Sequence, residues 1–246
     1  MTYFFADLDG TVIRSARTKR AGDITVEYKD GAAISCISEK SAALLPKLNI
    51  IPVTSRSIEQ YRRITFPLDF SPKYAITDNG GNLLIDGEVQ PDWAEKSAEI
   101  TRSCAEELKR CYKLLECDPD RNFEIRMVDS LFLFTKSGCP EKTEKRLGGL
   151  SDCDFYRTGE KIYVIPRRIN KGGGAMRLLG RIGNNDKIIC AGDSEMDIPL
   201  LNIADIAVFP DSLSADRINC PVKRTSRLES FCEFAVETAS EIMGIC

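Results

Sequence analysis

Short apolar runs alternate with helical stretches at both ends of this chain, and each run stops in a turn of polar residues. Residues 2–6, 50–53 and 188–191 are such runs. Runs of this length, bounded by turn residues, are typical of buried strands. Strands that alternate with helices favour a parallel sheet covered by helices. The pattern therefore predicts an α/β core that both ends of the chain build together.

Other local signals fill in this core. Two strand-like runs over 23–38 flank Asp30-Gly31, which indicates a β-hairpin. Apolar spacing and polar starts predict further elements. These are helices from Ser38, over 57–64, 171–182, 195–202 and 227–243, and strands over 73–78 and 204–208.

The middle of the chain has a different pattern. Strand-like runs pair there across short turns at Asp129-Ser130 and Gly159-Glu160, a hairpin is predicted over 83–93, and one long helix is predicted over 94–116. This is an antiparallel α+β pattern. We predict a Rossmann-like, mostly parallel core domain formed by residues 1–82 and 166–246, with an α+β cap domain inserted at 83–165.

The chain contains no histidine. Ser-His-Asp triads, Cys-His pairs and His-ligated zinc or haem are therefore excluded. Catalysis near neutral pH must come from carboxylates, Lys, Cys, hydroxyls, backbone amides or a cofactor. The 34 basic and 37 acidic side chains give a net charge of −3, which provides no electrostatic reason to expect nucleic acid or an anionic membrane as partner.

The ten cysteines have no C-x-x-C spacing, which argues against a metal cluster. The first residues lack the basic and long apolar regions of a signal peptide, and no window is apolar enough to span a bilayer. We therefore expect a cytoplasmic protein whose cysteines are reduced and pack as small hydrophobic side chains.

Four polar motifs follow the predicted strands. In open α/β sheets, ligands bind beyond the carboxyl ends of the strands, so we expect these motifs to converge. They are Asp7-Leu-Asp9-Gly10-Thr11, Thr54-Ser55-Arg56, Lys171-Gly-Gly-Gly174 and Gly192-Asp193-Ser-Glu-Met-Asp197.

The residue types in these motifs suit phosphate chemistry. Asp7 and Asp9 alternate along an extended backbone and share one side, so one carboxylate can attack while the other moves protons. Asp193 and Asp197 lie one helical turn apart, and clustered carboxylates are the oxygen ligands that Mg²⁺ prefers. Lys171 adds a positive charge that an anion could use.

Each motif also has a plainer interpretation. The first motif is also a common polar turn. Thr54-Ser55-Arg56 is either a phosphate-binding turn or a helix N-cap. Lys171-Gly-Gly-Gly174 is either an anion site or a flexible hinge, and Asp193 with Asp197 also suits an acidic helix N-terminus. Their order and their common position after strands favour one joint site.

The four motifs, taken in order, resemble those of the haloacid dehalogenase superfamily. The insertion after the third strand, preceded by Asp78-Asn79-Gly80, is similar to the Cof-type and sucrose-phosphatase-like branch with a large α/β cap. The resemblance covers essentially the whole chain.

The resemblance implies roles for particular residues. Asp7 would be the nucleophile that forms an aspartyl-phosphate, and Asp9 the general acid and base. Mg²⁺ would be bound by Asp7, the Asp9 backbone carbonyl and Asp193, with Asp197 in support or as a ligand. The residues expected to hold phosphate are Gly10, Thr11, Thr54, Ser55 and Lys171, and those proposed to contact the rest of the substrate are Arg56 and Asn79.

Two features depart from the family pattern. Relatives with this cap usually carry Asn before the last motif Asp, where this chain has Met196. The hairpin over 23–38 lies where the family has a small flap, so an enlarged flap is expected. The basic residues at its root, Arg14, Arg17, Lys19 and Arg20, are expected to form a solvated turn, and Trp93, Arg126, Arg157 and Lys161 of the cap are expected to be exposed.

We therefore predict a Mg²⁺-dependent phosphatase acting on a small phosphorylated metabolite, with a sugar phosphate as the first candidate substrate. One alternative is a phosphosugar mutase of the phosphomannomutase type, which shares the motifs. The other is a non-catalytic metabolite-binding domain, which Met196 makes conceivable. The sequence leaves the substrate and the oligomeric state open.

Overall fold

The computed structural model describes residues 2–183, 187–227 and 231–245. The chain forms two compact units. The core unit comprises Met1–Val89 and Lys171–Cys246, and the inserted unit comprises Gln90–Asn170. Among the described residues, no helix is long and apolar enough to cross a membrane.

The helices and strands follow the chain in this order. The first part of the core unit has β1 (Tyr3–Ala6), β2 (Arg14–Ser15), β3 (Ile24–Lys29), β4 (Ala32–Ile37), α1 (Glu39–Leu44), β5 (Ile50–Pro52), α2 (Ile58–Arg62), β6 (Tyr74–Thr77), β7 (Asn82–Ile85) and β8 (Glu88–Val89). The inserted unit has α3 (Pro91–Ser103), α4 (Ala105–Glu116), β9 (Arg126–Val128), β10 (Phe132–Lys136), α5 (Pro140–Leu147), β11 (Cys153–Thr158) and β12 (Lys161–Pro166). The core unit then resumes with α6 (Lys171–Ile182), β13 (Ile188–Ala191), α7 (Ile198–Leu201), β14 (Ile206–Pro210), β15 (Val222–Ser226) and α8 (Phe231–Met243).

A five-stranded parallel sheet forms the centre of the core unit, in the order β15-β14-β13-β1-β5. Phe4 and Ala6 of β1 pack in a buried cluster with residues of α1 and α8, including Ala42 and Phe231. Because both faces of the inner strands are buried, these strands are continuously apolar. The predicted mostly parallel α/β fold is confirmed.

β6 continues this sheet through a single parallel bridge, Val53 to Ile76, and pairs antiparallel with β7. β8 adds a third strand across the turn at Asp86-Gly87. The hairpin predicted over 83–93 is thus shorter, because Pro91 begins α3 and Trp93 lies in its first turn. Proline suits that position since it needs no hydrogen-bond donor there.

The predicted hairpin over 23–38 is present as β3 and β4, joined at Asp30-Gly31, and we call it the flap hairpin. Both turn residues have positive φ, at 52° and 77°, as a tight hairpin turn requires. The pairing shifts register on either side of Glu27, which marks a bulge. β2 pairs with β4 and ties the flap hairpin to the first motif.

The basic root of this hairpin is only partly solvated. Arg17, Lys19 and Arg20 are exposed, but Arg14 is buried, with ion pairs to Asp23 and Glu233. The expectation of a solvated turn is therefore wrong for Arg14. A partner 219 positions away leaves no local signal in the sequence.

In the inserted unit, a four-stranded antiparallel sheet has the order β11-β12-β10-β9. One buried cluster includes Leu108 and Leu115 of α4 with Leu133 and Val164 of the sheet. The single helix predicted over 94–116 is wrong, because the backbone breaks at Cys104. The Ser103 hydroxyl donates to the Ile100 carbonyl and so competes for the last turn of α3.

Four side chains of the inserted unit are predicted to be exposed, and the structure agrees for three of them. Trp93 is buried, contrary to expectation, whereas Arg126, Arg157 and Lys161 are exposed.

The nine cysteines at described positions are free, and six are buried; Cys246 lies outside the described residues. The helix predicted over 227–243 is α8, and positions 228–230 of that prediction lie outside the described residues.

Candidate active site

The first and fourth motifs meet at the carboxyl ends of β1 and β13. Asp7 continues β1, and its N–H donates to the Ala191 carbonyl at 2.9 Å. Gly10 has φ +86°, and a Cβ there would lie 2.3 Å from Asp193 Oδ2. Only glycine allows this approach, because both the backbone conformation and the space exclude a side chain. The turn after β1 thus brings the backbone against the Asp193 carboxylate.

The third motif places a buried ammonium among these carboxylates. Lys171 begins α6, and its Nζ donates to Asp7 Oδ1 at 2.6 Å and to Asp197 Oδ1 at 2.5 Å. Gly172 lets α6 approach α7, because a Cβ there would lie 2.1 Å from the Pro199 carbonyl oxygen. Gly172 therefore allows the close helix packing that positions Lys171.

Asp197 organises the loop that carries Asp193. Its Oδ2 accepts hydrogen bonds from the backbone N–H of Asp193 at 3.1 Å and of Ser194 at 2.9 Å, and from the Ser194 hydroxyl at 2.7 Å. Because Oδ1 already accepts from Lys171, both oxygens of Asp197 are engaged by the protein. This favours a supporting role over direct ligation. Met196 beside it is buried.

Burial and mutual repulsion disfavour the charged form of two carboxylates. Burial raises the pKa of Asp7 well above its ordinary value, against the attraction of Lys171, and Asp197 and Asp193 raise it further. Burial, followed by the charge of Asp197, raises the pKa of Asp193 to about 7. Burial lowers the pKa of Lys171, but Asp197 and Asp7 outweigh it and raise the pKa overall, so the amine stays protonated.

The donor set fits a divalent cation. Carboxylate oxygens of Asp7, Asp193 and Asp197 lie within 4.8 Å of one another, with Asp197 held by its protein partners. Three carboxylates and the ammonium of Lys171 leave a net charge of −2 when all are ionised. A hard cation with oxygen ligands, such as Mg²⁺, compensates that charge.

This charge balance predicts a pH-dependent effect of Mg²⁺ on stability. The pKa of Asp193 is about 7 in the folded chain against 3.8 unfolded, so the metal-free fold loses stability as pH rises from about 4 through 7. Mg²⁺ needs the ionised form, so at one fixed Mg²⁺ concentration its stabilising effect should grow over the same range, up to about 2.7 kcal/mol where that concentration is a hundredfold above the Kd. Thermal unfolding at pH 5.5 and 8, with and without Mg²⁺, checks this; an equal Mg²⁺ shift at both pH values would contradict it.

The second motif follows β5 and packs against the turn after β6. The Thr54 N–H donates to the Ile76 carbonyl, and the Asn79 N–H donates to the Thr54 carbonyl, both at 2.9 Å. Thr54 is fully buried and Ser55 is half-buried. Asn79 is buried in that turn with a positive φ of 58°. Thr11, by contrast, has a buried hydroxyl without a hydrogen-bond partner among the described residues.

Asp9 and Arg56 pair with each other. Arg56 Nε donates to Asp9 Oδ2 at 2.6 Å, and Nη2 donates to Asp9 Oδ1 at 2.7 Å. The remaining nitrogen, Nη1, donates to Glu27 Oε2 at 2.9 Å. Arg56, expected from the sequence as a substrate contact, is therefore engaged by two carboxylates of the protein. Asp9 itself remains half-exposed, with 54% of its side chain accessible.

Glu27 is the site residue that sequence reasoning missed. It lies in the flap hairpin, where its neighbours indicate only a β-strand. A buried acidic residue in a strand is unusual, but the sequence does not show burial. The only local signal is a carboxylate within an otherwise β-prone run.

No family model matches the chain. Among curated proteins, a phosphoglycolate phosphatase from Methanopyrus kandleri is 26% identical over 141 residues. That match covers 55% of this chain and 58% of the relative, so the chain matches less than two thirds of the relative's length.

Solved structures match over nearly the whole chain. One of them is the sucrose-phosphatase from Synechocystis sp. in complex with sucrose and phosphate, with a TM-score of 0.64 and 14% identity. The match covers 97% of each chain. A haloacid dehalogenase-like hydrolase from B. subtilis has a TM-score of 0.62 at 13% identity, with both chains covered completely. These neighbours confirm the predicted resemblance at the level of the fold.

Proposed function

We propose, on the premise that this chain has the fold of the haloacid dehalogenase-type phosphatases, that it is a Mg²⁺-dependent phosphatase of small phosphorylated metabolites. The observation that carries the proposal is the buried ammonium of Lys171 between Asp7 and Asp197, with Asp193 against Gly10. Three of the four motifs thus share one buried, electrostatically strained site. Strongly perturbed carboxylates of this kind cluster at functional sites.

In the proposed reaction, Asp7 attacks the phosphorus atom of the ester. The bond from phosphorus to the alcohol oxygen breaks as an Asp7 oxygen bonds to phosphorus, and protonated Asp9 gives its proton to the leaving alcohol. Asp9, now a carboxylate, takes a proton from water as that water attacks the phosphorus. The bond to Asp7 breaks, and inorganic phosphate leaves. Arg56 donates to both carboxylate oxygens of Asp9 and so holds the side chain at this site.

The carboxylates of Asp7 and Asp193 and the backbone carbonyl of Asp9 would hold Mg²⁺, with Asp197 in support. The bound cation supplies positive charge that allows an anionic phosphate to approach the carboxylates. Lys171 contributes a fixed positive charge between Asp7 and Asp197.

Gly10, Thr11, Thr54 and Ser55 are proposed to hold the phosphoryl group together with Lys171. Among them, the buried hydroxyl of Thr11 has no hydrogen-bond partner in the described part of the chain, which supports a role in binding, because buried polar groups usually have a partner. Asn79 stays a proposed contact for the rest of the substrate. Arg56 is not proposed as one, since all three of its nitrogens donate to protein groups.

A sugar phosphate is the first candidate substrate, because the structural neighbours include a sucrose-phosphatase and trehalose-6-phosphate phosphatases. We propose that the inserted unit, Gln90–Asn170, acts as the cap that selects the substrate. The free cysteines support a reducing, cytoplasmic location.

A phosphatase assay tests the proposed function. The purified chain is offered a panel of sugar phosphates and other small phosphate esters, with Mg²⁺ and with EDTA. Phosphate release that requires Mg²⁺ is the expected result. Isomer formation without phosphate release would favour the mutase alternative. Metabolite binding without turnover would favour the non-catalytic one.

Asp9→Asn should lower turnover by about 10²- to 10⁴-fold, because general acid–base catalysis contributes a factor of that size. The amide keeps the size of the side chain and one acceptor for Arg56, so the fold should persist. Steady-state kinetics and a thermal melt measure the two effects. Asp211→Asn, at an exposed position, is the matched control. Equal kcat values for Asp9→Asn and the wild type would exclude Asp9 as the acid and base.

A further inference from the structure

The buried carboxylate of Glu27 has three side-chain partners. Ser35 Oγ donates to Glu27 Oε2 at 2.7 Å, Arg63 Nε donates to Oε1 at 3.1 Å, and Arg56 Nη1 donates to Oε2 at 2.9 Å. The side chain has no exposed surface. The bulge in β3 lies at this residue, and bulges re-aim side chains beside functional sites. The flap hairpin therefore presents a fully hydrogen-bonded carboxyl group to the inside of the core unit.

Arg56 connects this carboxylate to Asp9. Its Nη1 donates to Glu27, its Nη2 donates to Ser35 at 3.2 Å, and its Nε and Nη2 both donate to Asp9. A guanidinium is planar and its donors point in fixed directions. The hydrogen bonds to Glu27 and Ser35 therefore fix the orientation of the whole guanidinium, including the Nε and Nη2 atoms that face Asp9.

Asp9 needs such a constraint because more than half of its side chain is exposed. An exposed carboxylate otherwise populates several rotamers. Proton transfer requires the carboxyl group within hydrogen-bond reach of the leaving oxygen or the attacking water. A rotamer held in advance removes the cost of ordering it during the reaction.

We propose that Glu27 is a positioning residue of the catalytic site, which acts through Arg56 to hold the Asp9 carboxylate for proton transfer. This inference rests on the proposed function. It assigns the flap hairpin a role in catalysis through Glu27 and Ser35, which are paired on its two strands.

A purely structural ion pair is the competing explanation, and Arg63 provides the matched control. Arg63 pairs with Glu27 through the oxygen that Arg56 does not use, Oε1, and it has a second, longer ion pair with Glu59 at 3.7 Å. Among the described residues, Arg63 has no ion pair with Asp9. If Glu27 only anchors the hairpin, then Glu27→Gln and Arg63→Gln should have similar consequences. If Glu27 positions Asp9, only Glu27→Gln should lower kcat strongly.

The test is a kinetic double-mutant cycle with Mg²⁺ present. We expect Glu27→Gln to lower kcat about 10- to 100-fold with KM changed less than twofold, because a displaced catalytic group costs a factor of this size. Arg63→Gln should keep kcat within twofold of the wild type while lowering Tm. In an Asp9→Asn background, Glu27→Gln should cause no further loss, since its effect passes through Asp9. If Glu27→Gln melts below the assay temperature, Arg56→Lys takes its place. A lysine keeps the positive charge but removes the planar guanidinium that contacts Asp9 and Glu27 together.

The outcomes separate this inference from the proposed function. A wild-type chain that hydrolyses no phosphate ester overturns the proposed function and this inference with it. An active wild type with unchanged kcat in Glu27→Gln overturns the inference alone. The same holds if Glu27→Gln lowers kcat equally in the wild-type and Asp9→Asn backgrounds.

Discussion

Asp7→Asn should abolish phosphate-ester turnover while the chain stays folded. The amide cannot act as the nucleophile that the proposed reaction requires, and covalent catalysis has no substitute at this position. The pKa of Asp7 is raised mainly by burial, so its charge is disfavoured in the metal-free fold. Replacing it with a neutral isostere should therefore leave the metal-free Tm equal or higher. Phosphate release and thermal unfolding, measured on the same preparation, check both expectations.

The combination of effects makes this prediction specific. Loss of activity together with a large loss of Tm would indicate misfolding rather than loss of a nucleophile. Wild-type activity in Asp7→Asn would exclude Asp7 as the nucleophile.

Lys171→Met should destabilise the chain and remove most of its activity. Lys171 is buried between two carboxylates, and removing one partner from a buried charge pair costs about 3–5 kcal/mol. Without the ammonium, the pKa values of Asp7 and Asp193 rise further, so protonation relieves the repulsion at lower pH. The deficit in the free energy of unfolding should therefore be large at pH 8 and smaller at pH 5.

Urea unfolding at the two pH values measures this deficit. Lys47→Met is the control, because Lys47 is exposed in the turn after α1, and it should change stability little at either pH. A Lys171→Met deficit that is the same at pH 5 and pH 8 would contradict the charge balance described for the site.

The parts of the fold that local signals determine could be predicted from the sequence. The inner strands β1, β5 and β13 are apolar because they are buried on both faces, and such runs stand out. The Asp30-Gly31 turn was predictable because few residues tolerate two positive φ values in succession. The convergence of the first and fourth motifs follows from the rule that ligand-binding turns lie beyond the carboxyl ends of parallel strands.

Long-range pairing could not be predicted in the same way. The contact of Arg56 with Asp9 joins positions 47 residues apart, and its contact with Glu27 joins positions 29 apart. Each of these residues alone is typical of a solvated surface. The edge strand β15 is exposed and mostly polar, so it lacks the apolar run that marks the inner strands. The break at Cys104 is local, but the apolar spacing is continuous across it, so the sequence pattern does not show it.

Transfer of labelled phosphate to Asp7 is the most direct measurement of the proposed mechanism. The Asp9→Asn variant, incubated with Mg²⁺ and a ³²P-labelled ester that has a good leaving group, can form the aspartyl-phosphate without acid assistance but hydrolyses it slowly. We predict acid-stable label on the peptide that contains Asp7, and no label when Asp7 is also replaced by Asn. Label on another residue, or steady phosphate release by the double variant, would contradict the account.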